Sequence, residues 1–188
     1  MKKVALSGNI GCGKSYVANI IKNYGVCVLD CDKIAAQVRN AHSDLLSNMF
    51  QMDANDTKLM ADVVFSDDLK RKQLEDFLYP KILEELNRNF ILYEKETLVV
   101  VEVPLLYEKG WETLFDEVWI VACKEATALQ RLMKYRHIDE SEARRRLAKQ
   151  MPLNEKIQRA DVIIYNEEGE DVKGQIQDLL KKEGVRLC

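Results

Sequence analysis

Eight residues near the start of the chain, Gly8-Asn9-Ile10-Gly11-Cys12-Gly13-Lys14-Ser15, constrain it more than any other stretch. They fit Gly-x4-Gly-Lys-Ser/Thr, follow the apolar run Val4-Ala5-Leu6, and open into an amphipathic segment starting near Lys14. Strand, glycine loop and helix, in that order, are the context in which such a loop cradles phosphate. Glycine reaches dihedrals closed to other residues, so consecutive backbone N–H groups can converge on phosphate oxygens. The positive end of the following helix dipole points into the same space. Lys14 is expected to reach the β- and γ-phosphates, and the Ser15 hydroxyl to hold Mg²⁺. The alternative is a glycine turn without a ligand; the flanking strand and helix favour a nucleoside triphosphate site.

A chain of 188 residues suits one domain with a sizeable core and one mobile insertion. An apolar fraction of 47% and a charged fraction of 31% describe an ordinary soluble globular protein. A net charge of −3 gives no electrostatic case for nucleic acid or an anionic membrane surface. The apolar run before the glycines is too brief for a secretory signal, and no stretch approaches the length of a membrane span. The five cysteines are odd in number, form no Cys-x-x-Cys pair and are accompanied by only two histidines, which argues against a zinc site and for a reducing compartment, the cytosol.

Apolar runs alternate with helical patterns. Strands are expected at Lys3–Leu6, Val26–Leu29, Thr97–Val103, Glu117–Ala122 and Asp161–Tyr165. The third is apolar throughout, as in a parallel strand covered on both faces. Helices are expected at Ser15–Asn23, Lys33–Phe50, about Ser66–Leu78 and Lys81–Tyr93, then between and after the later strands. Such alternation implies an α/β fold with a five-stranded parallel sheet between helical layers. The analogy with P-loop kinases gives the strand order 2-3-1-4-5. With no internal repeat or linker, residues 1–188 read as one domain.

Three features narrow the chemistry. Asp30-Cys31-Asp32 closes the second strand, and ligands of open α/β sheets sit beyond the carboxyl ends of strands. Asp32 can accept the proton of an attacking hydroxyl, or cap the helix starting at Lys33; the two roles are compatible. Glu102 ends the third strand, where an acid can orient waters on Mg²⁺ or simply be an exposed strand end. Leu105, Leu106 and Tyr107 after Pro104 can floor a pocket for an apolar part of the substrate, or belong to the core. The basic segment Arg131–Arg136, a turn at His137-Ile138, and a helix opened by an Asp139/Glu142 capping box resemble a phosphate-closing lid. Successive helical residues diverge by about 100°, so Arg144, Arg145 and Arg146 cannot all face one ligand. The remainder are expected to pair with Glu140 and Glu142.

Taken together, the segments resemble the dephospho-CoA kinase family over nearly the whole chain, from Lys3 to about Asp178. The carriers are Leu6–Ser15, Leu29-Asp30-Cys31-Asp32-Lys33-Ile34-Ala35, Val103-Pro104-Leu105-Leu106-Tyr107-Glu108, Gln150-Met151-Pro152-Leu153 and Ala160–Asn166. The resemblance implies a P-loop kinase fold with a helical substrate region at about 33–94 and a lid at about 130–150. It implies transfer of the γ-phosphoryl of ATP to the ribose 3′-hydroxyl of dephospho-CoA, with Mg²⁺ and in the cytoplasm. Asp32 becomes the base, Gly11, Cys12, Gly13, Lys14, Ser15 and Tyr16 the ATP phosphate loop, Arg136 the lid arginine, and Asn166 a residue near the adenine.

This chain departs from the family pattern at Tyr16, usually Ser or Thr, at Tyr79-Pro80, usually His-Pro, and at Thr57, where arginine is common. The region after Val38 is also short. Apart from Tyr16, these changes fall in the helical acceptor region. Two rivals are a P-loop kinase for a nucleoside or nucleoside monophosphate, which would not require the Pro-Leu-Leu and Gln-Met-Pro-Leu stretches, and a GTP-dependent switch. The switch wants an Asn-Lys-x-Asp motif, which the chain lacks.

Overall fold

The computed structural model describes residues 1–54, 56 and 67–186. Thr57, the Val-Val-Phe run, Ser66 and Cys188 lie outside them. Strands are β1 Lys2–Ser7, β2 Cys27–Asp30, β3 Leu98–Glu102, β4 Glu117–Ala122 and β5 Val162–Tyr165. Helices are α1 Lys14–Asn23, α2 Cys31–Ala41, α3 Ser43–Phe50, α4 Asp68–Leu92, α5 Glu125–Arg136, α6 Glu140–Ala148, α7 Leu153–Gln158 and α8 Val172–Lys182. A 3₁₀ turn covers Glu112–Leu114. The chain divides into two compact units, one made of Met1–Asp30 with the chain from Tyr93 onward, the other Cys31–Leu92.

The first unit holds a five-stranded parallel sheet in the order β2-β3-β1-β4-β5. Every pairing is parallel, so the strands are joined by crossover connections and not by hairpins. On one face Val4, Leu6, Val100, Trp119, Val121 and Ile164 share a core with Val17, Ile20 and Ile21 of α1 and Ile176 and Leu180 of α8. The intervening Ala5, Val99, Val101 and Ile120 are equally buried, so both faces are covered and the strands show no polar alternation. The β1–β3 register sets Leu6 against Glu102, which brings an acid to the carboxyl edge beside the glycine loop.

The second unit is helical. The helical run expected over Lys33–Phe50 is broken at His42, between α2 and α3, and starts two residues early at Cys31. Cys31, Ile34 and Val38 form the buried stripe of α2. Asp32 therefore lies inside the first helical turn, where its charge complements the helix dipole, instead of preceding the helix as a cap. The two helices expected on either side of Pro80 are one, α4, with Pro80 inside it. Proline removes one backbone bond and strains the turn before it. Here packing spans the defect: Leu74, Phe77 and Leu78 contact the Leu46–Phe50–Ala54 cluster, and Ile82, Leu86 and Phe90 form a buried row at four-residue spacing.

Leu46 is fully buried, whereas its neighbour Leu45 is exposed. Leu46→Ala is expected to cost about 2–5 kcal/mol and Leu45→Ala to stay within about 0.5 kcal/mol, measured by urea denaturation. Equal effects would mean that α3 faces the core in another register.

Candidate functional site

The loop between β1 and α1 is fixed from behind. Gly11 and Gly13 have φ of 85° and 88°, a region L side chains rarely adopt. Contact also excludes a side chain: a Cβ on Gly11 would stand 2.7 Å from the Ala128 carbonyl oxygen, and one on Gly13 2.2 Å from Asn166 Nδ2. Asn166, the residue after β5, is buried, and its Nδ2 donates to the Cys12 carbonyl at 2.8 Å. Its own backbone N–H is held by the Ala122 carbonyl at 2.8 Å. Arg131 of α5 donates to the Asn166 carbonyl at 3.0 Å and reaches the Gly11 and Cys12 carbonyls with longer contacts of 3.4 Å. The Cys12 N–H donates to the Asn9 carbonyl at 3.1 Å, closing the turn.

Lys14 Nζ folds back onto the Gly8 carbonyl at 2.9 Å and the Asn9 carbonyl at 3.4 Å. The exposed Ser15 Oγ donates to Glu102 Oε1 at 2.7 Å. A hydroxyl beside a carboxylate is a hard oxygen donor set, which suits Mg²⁺ and would leave it room to keep several waters.

A second support comes from the far end of the chain. The Ile10 N–H donates to Gln150 Oε1 at 2.8 Å, and Asn9 Nδ2 to the Met151 carbonyl at 3.3 Å. The Met151 N–H in turn donates to Glu108 Oε1 at 2.9 Å, which lies 2.8 Å from Nζ of the fully buried Lys156. The Pro-Leu-Leu-Tyr-Glu and Gln-Met-Pro-Leu stretches are thus two halves of one bracket around the front of the loop. Burial pushes the Glu108 carboxyl up, but hydrogen bonds from Lys156 and the Met151 N–H outweigh it and leave the group below its ordinary value.

The basic segment divides by face, and Arg144, Arg145 and Arg146 pair with acids as expected. Arg136, the lid arginine of the sequence reading, ends α5 on the surface, and Arg131, which that reading passed over, is the one turned to the loop. Arg144 pairs with Glu140 at 2.7 Å and Glu125 at 3.1 Å, and Arg146 pairs with Glu142 at 2.7 Å. Arg145 also binds Glu142. The capping box is half formed: the Glu142 N–H donates to Asp139 Oδ1 at 2.8 Å, while the Glu142 carboxylate turns to the arginines.

Of the expected apolar floor, Leu105 is exposed but Leu106 is fully buried. Leu106 is therefore core, which replaces its expected place in a substrate pocket with the alternative that the sequence left open. Tyr16 is half exposed beside the loop, and Asp32 is exposed in the second unit. A hollow of about 280 Å³ adjoins Arg131, lined also by Thr127, Gln130, Tyr135, Glu167 and Glu168. Glu167 is fixed there by the Lys124 N–H at 2.7 Å and by the Thr127 hydroxyl.

A family model described as dephospho-CoA kinase matches residues 2–171. The chain belongs to the dephospho-CoA kinase family. It is 36% identical over 192 residues to a dephospho-CoA kinase of Shouchella clausii, covering 96% of this chain and 98% of that protein. It is similar to a crystal structure of a Thermus thermophilus protein, with a TM-score of 0.90, 30% identity and 97% of each chain covered. It is also similar to dephospho-CoA kinase from Campylobacter jejuni, with a TM-score of 0.75, 26% identity and 96% of each chain covered. The five-stranded parallel sheet with its glycine loop is thus the P-loop kinase fold.

The Glu108–Lys156 pair sets a pH dependence. A carboxyl held low in the folded state contributes stability above its unfolded pKa, and loses it as pH falls through the folded value. Glu108→Gln should be less stable than the parent at neutral pH, because a buried lysine loses its counter-charge. The gap should narrow on acidification below about pH 4.5, read from denaturation curves at a series of pH values. A gap constant with pH would contradict the pairing.

Proposed function

We propose that this chain transfers the γ-phosphoryl group of ATP to the ribose 3′-hydroxyl of dephospho-CoA, giving coenzyme A. The observation that carries the reading is the pinned glycine loop in a chain matched by one kinase family over residues 2–171. ATP is the donor that family membership implies. The loop from Gly11 to Tyr16 receives its phosphates, with Lys14 leaving the Gly8 carbonyl for the β- and γ-oxygens. The hollow beside Arg131 and Glu167 suits the base, which a guanidinium can stack upon. Ser15, and Glu102 through water, would hold Mg²⁺, whose charge neutralises the phosphate oxygens when bound. Asp32, two residues beyond β2, takes the proton of the 3′-hydroxyl as the oxygen attacks phosphorus. Arg136 joins when the stretch 130–150 closes over the nucleotide, offering charge to the phosphoryl group in transit. Leu105 supplies apolar surface to the acceptor. The substrates are small molecules of the cytoplasm, and no described helix is long and apolar enough to cross a membrane.

A screen of acceptors with ATP and Mg²⁺, read by mass spectrometry, should yield coenzyme A from dephospho-CoA and little product from nucleosides or their monophosphates. A preference for a nucleoside acceptor would overturn the assignment. Asp32→Asn keeps the shape and removes the base, so turnover should fall by roughly 10²- to 10⁴-fold with ATP affinity retained. Asp30→Asn should be milder. A larger loss at Asp30 would transfer the role of base to that carboxylate.

A further inference from the structure

Cys12 lies inside the phosphate loop, and its Sγ is 3.2 Å from Sγ of Cys123, the residue directly after β4. Both are free thiols buried in the first unit. Both also line a cavity of about 570 Å³ that includes Asn9, Ala128, Gln150 and Leu153 and opens to solvent, so small solutes have a route to the sulfurs. Phosphoryl transfer has no use for a thiol. A cysteine in the loop and a second one within contact of it are therefore unexplained by the activity.

We propose that Cys12 and Cys123 form a peroxide-driven disulfide that distorts the phosphate loop, blocks ATP binding and is reversed by thiols. In the first step the Cys12 thiolate attacks one oxygen of hydrogen peroxide. An S–O bond forms, the O–O bond breaks, and the departing hydroxide takes up the thiol proton as water. In the second the Cys123 sulfur attacks the sulfenic sulfur of Cys12. The S–S bond forms, the S–O bond breaks, and the second oxygen leaves as water with the Cys123 proton. The two sulfurs give up two electrons and one molecule of hydrogen peroxide is reduced.

The local chemistry supports this order. The hydrogen bond donated by the Cys123 thiol lowers Cys12 most; burial opposes it, and the Lys14 charge assists, leaving Cys12 at about 7. Cys123 is pushed up by the same contact and by burial, which suits a resolving thiol. Thiolate character decides which cysteine meets peroxide first.

The consequence follows from what else Cys12 holds. Closing the gap to a covalent bond draws the sulfurs about an ångström nearer. The Cys12 carbonyl is tied to Asn166, and the flanking Gly11 and Gly13 have no free space on the Ala128 and Asn166 sides. The loop must yield, and misplacement on that scale in a preorganised site costs on the order of 10²-fold.

The inference rests on the loop being the ATP site, and the ATP affinity of the reduced protein, measured first, tests that reading separately. The purified chain is then treated with hydrogen peroxide, alkylated, digested and mapped by mass spectrometry. A peptide joining Cys12 to Cys123 is expected, with ATP affinity lowered at least about tenfold and restored by dithiothreitol. Cys123→Ala should bind ATP as the parent does and keep its affinity through the same treatment. Absence of the joined peptide in the parent, or a joined protein that binds ATP normally, would overturn the proposal. So would an equal loss in Cys123→Ala.

Discussion

The Cys12 carbonyl, held by the buried Asn166 amide and approached by Arg131, is the contact on which the rest of this molecule turns. A phosphate-binding loop works only if its N–H groups converge before the ligand arrives, because ordering them afterwards would consume the binding energy. The carbonyls of those residues then point away from the ligand and need partners of their own. Asn166 and Arg131 supply them. That requirement explains why the strand order matters: β4 and β5 must lie beside β1 for the residue after β5 to reach the back of the loop. The sheet is the frame, and its carboxyl edge is where the frame meets the chemistry.

The front of the loop is held by a different kind of bond. Gln150 and the Met151 carbonyl bind Ile10 and Asn9, and they are steadied by Glu108 and a fully buried lysine. A buried ion pair is weak evidence for stability, since desolvation offsets much of the attraction. Its value here is positional, because Glu108 Oε1 lies against the Lys156 ammonium and accepts from the Met151 N–H, and so fixes the segment that meets the loop. This segment directly follows α6, so the stretch expected to close over nucleotide is connected through Gln150 to the loop it would cover. Ile10 also packs with Leu129, Leu132 and Ala143 of α5 and α6.

The fold was legible in the sequence where a physical constraint leaves a local mark. Strands buried on both faces read as unbroken apolar runs, and parallel crossovers leave few orders to choose among. The break at His42 was hidden because the apolar period continues across it. The helix through Pro80 was hidden because the contacts that hold the turns before the proline come from Leu46 and Phe50, far away in sequence. At the site, glycines, lysine and serine announced the loop through their spacing. Arg131 did not stand out from Arg136, since choosing between arginines on one helix depends on which face meets the loop. Leu105 and Leu106 carry the same apolar signature, which alone does not separate a pocket floor from a core. Met151 and Glu108 lay within stretches singled out by resemblance, but their partnership across 43 residues has no local signature.

The central claim is that the loop is shaped from behind before nucleotide binds. Equilibrium ATP affinity, measured by calorimetry for Asn166→Ala and Arg136→Ala, tests it most directly. Removing the Asn166 amide strips a buried carbonyl of its best partner, a loss of about 1–3 kcal/mol. The account predicts that Asn166→Ala weakens ATP binding about tenfold or more, while Arg136→Ala binds ATP nearly as the parent does. Parental affinity in Asn166→Ala, or a larger loss in Arg136→Ala, would contradict it.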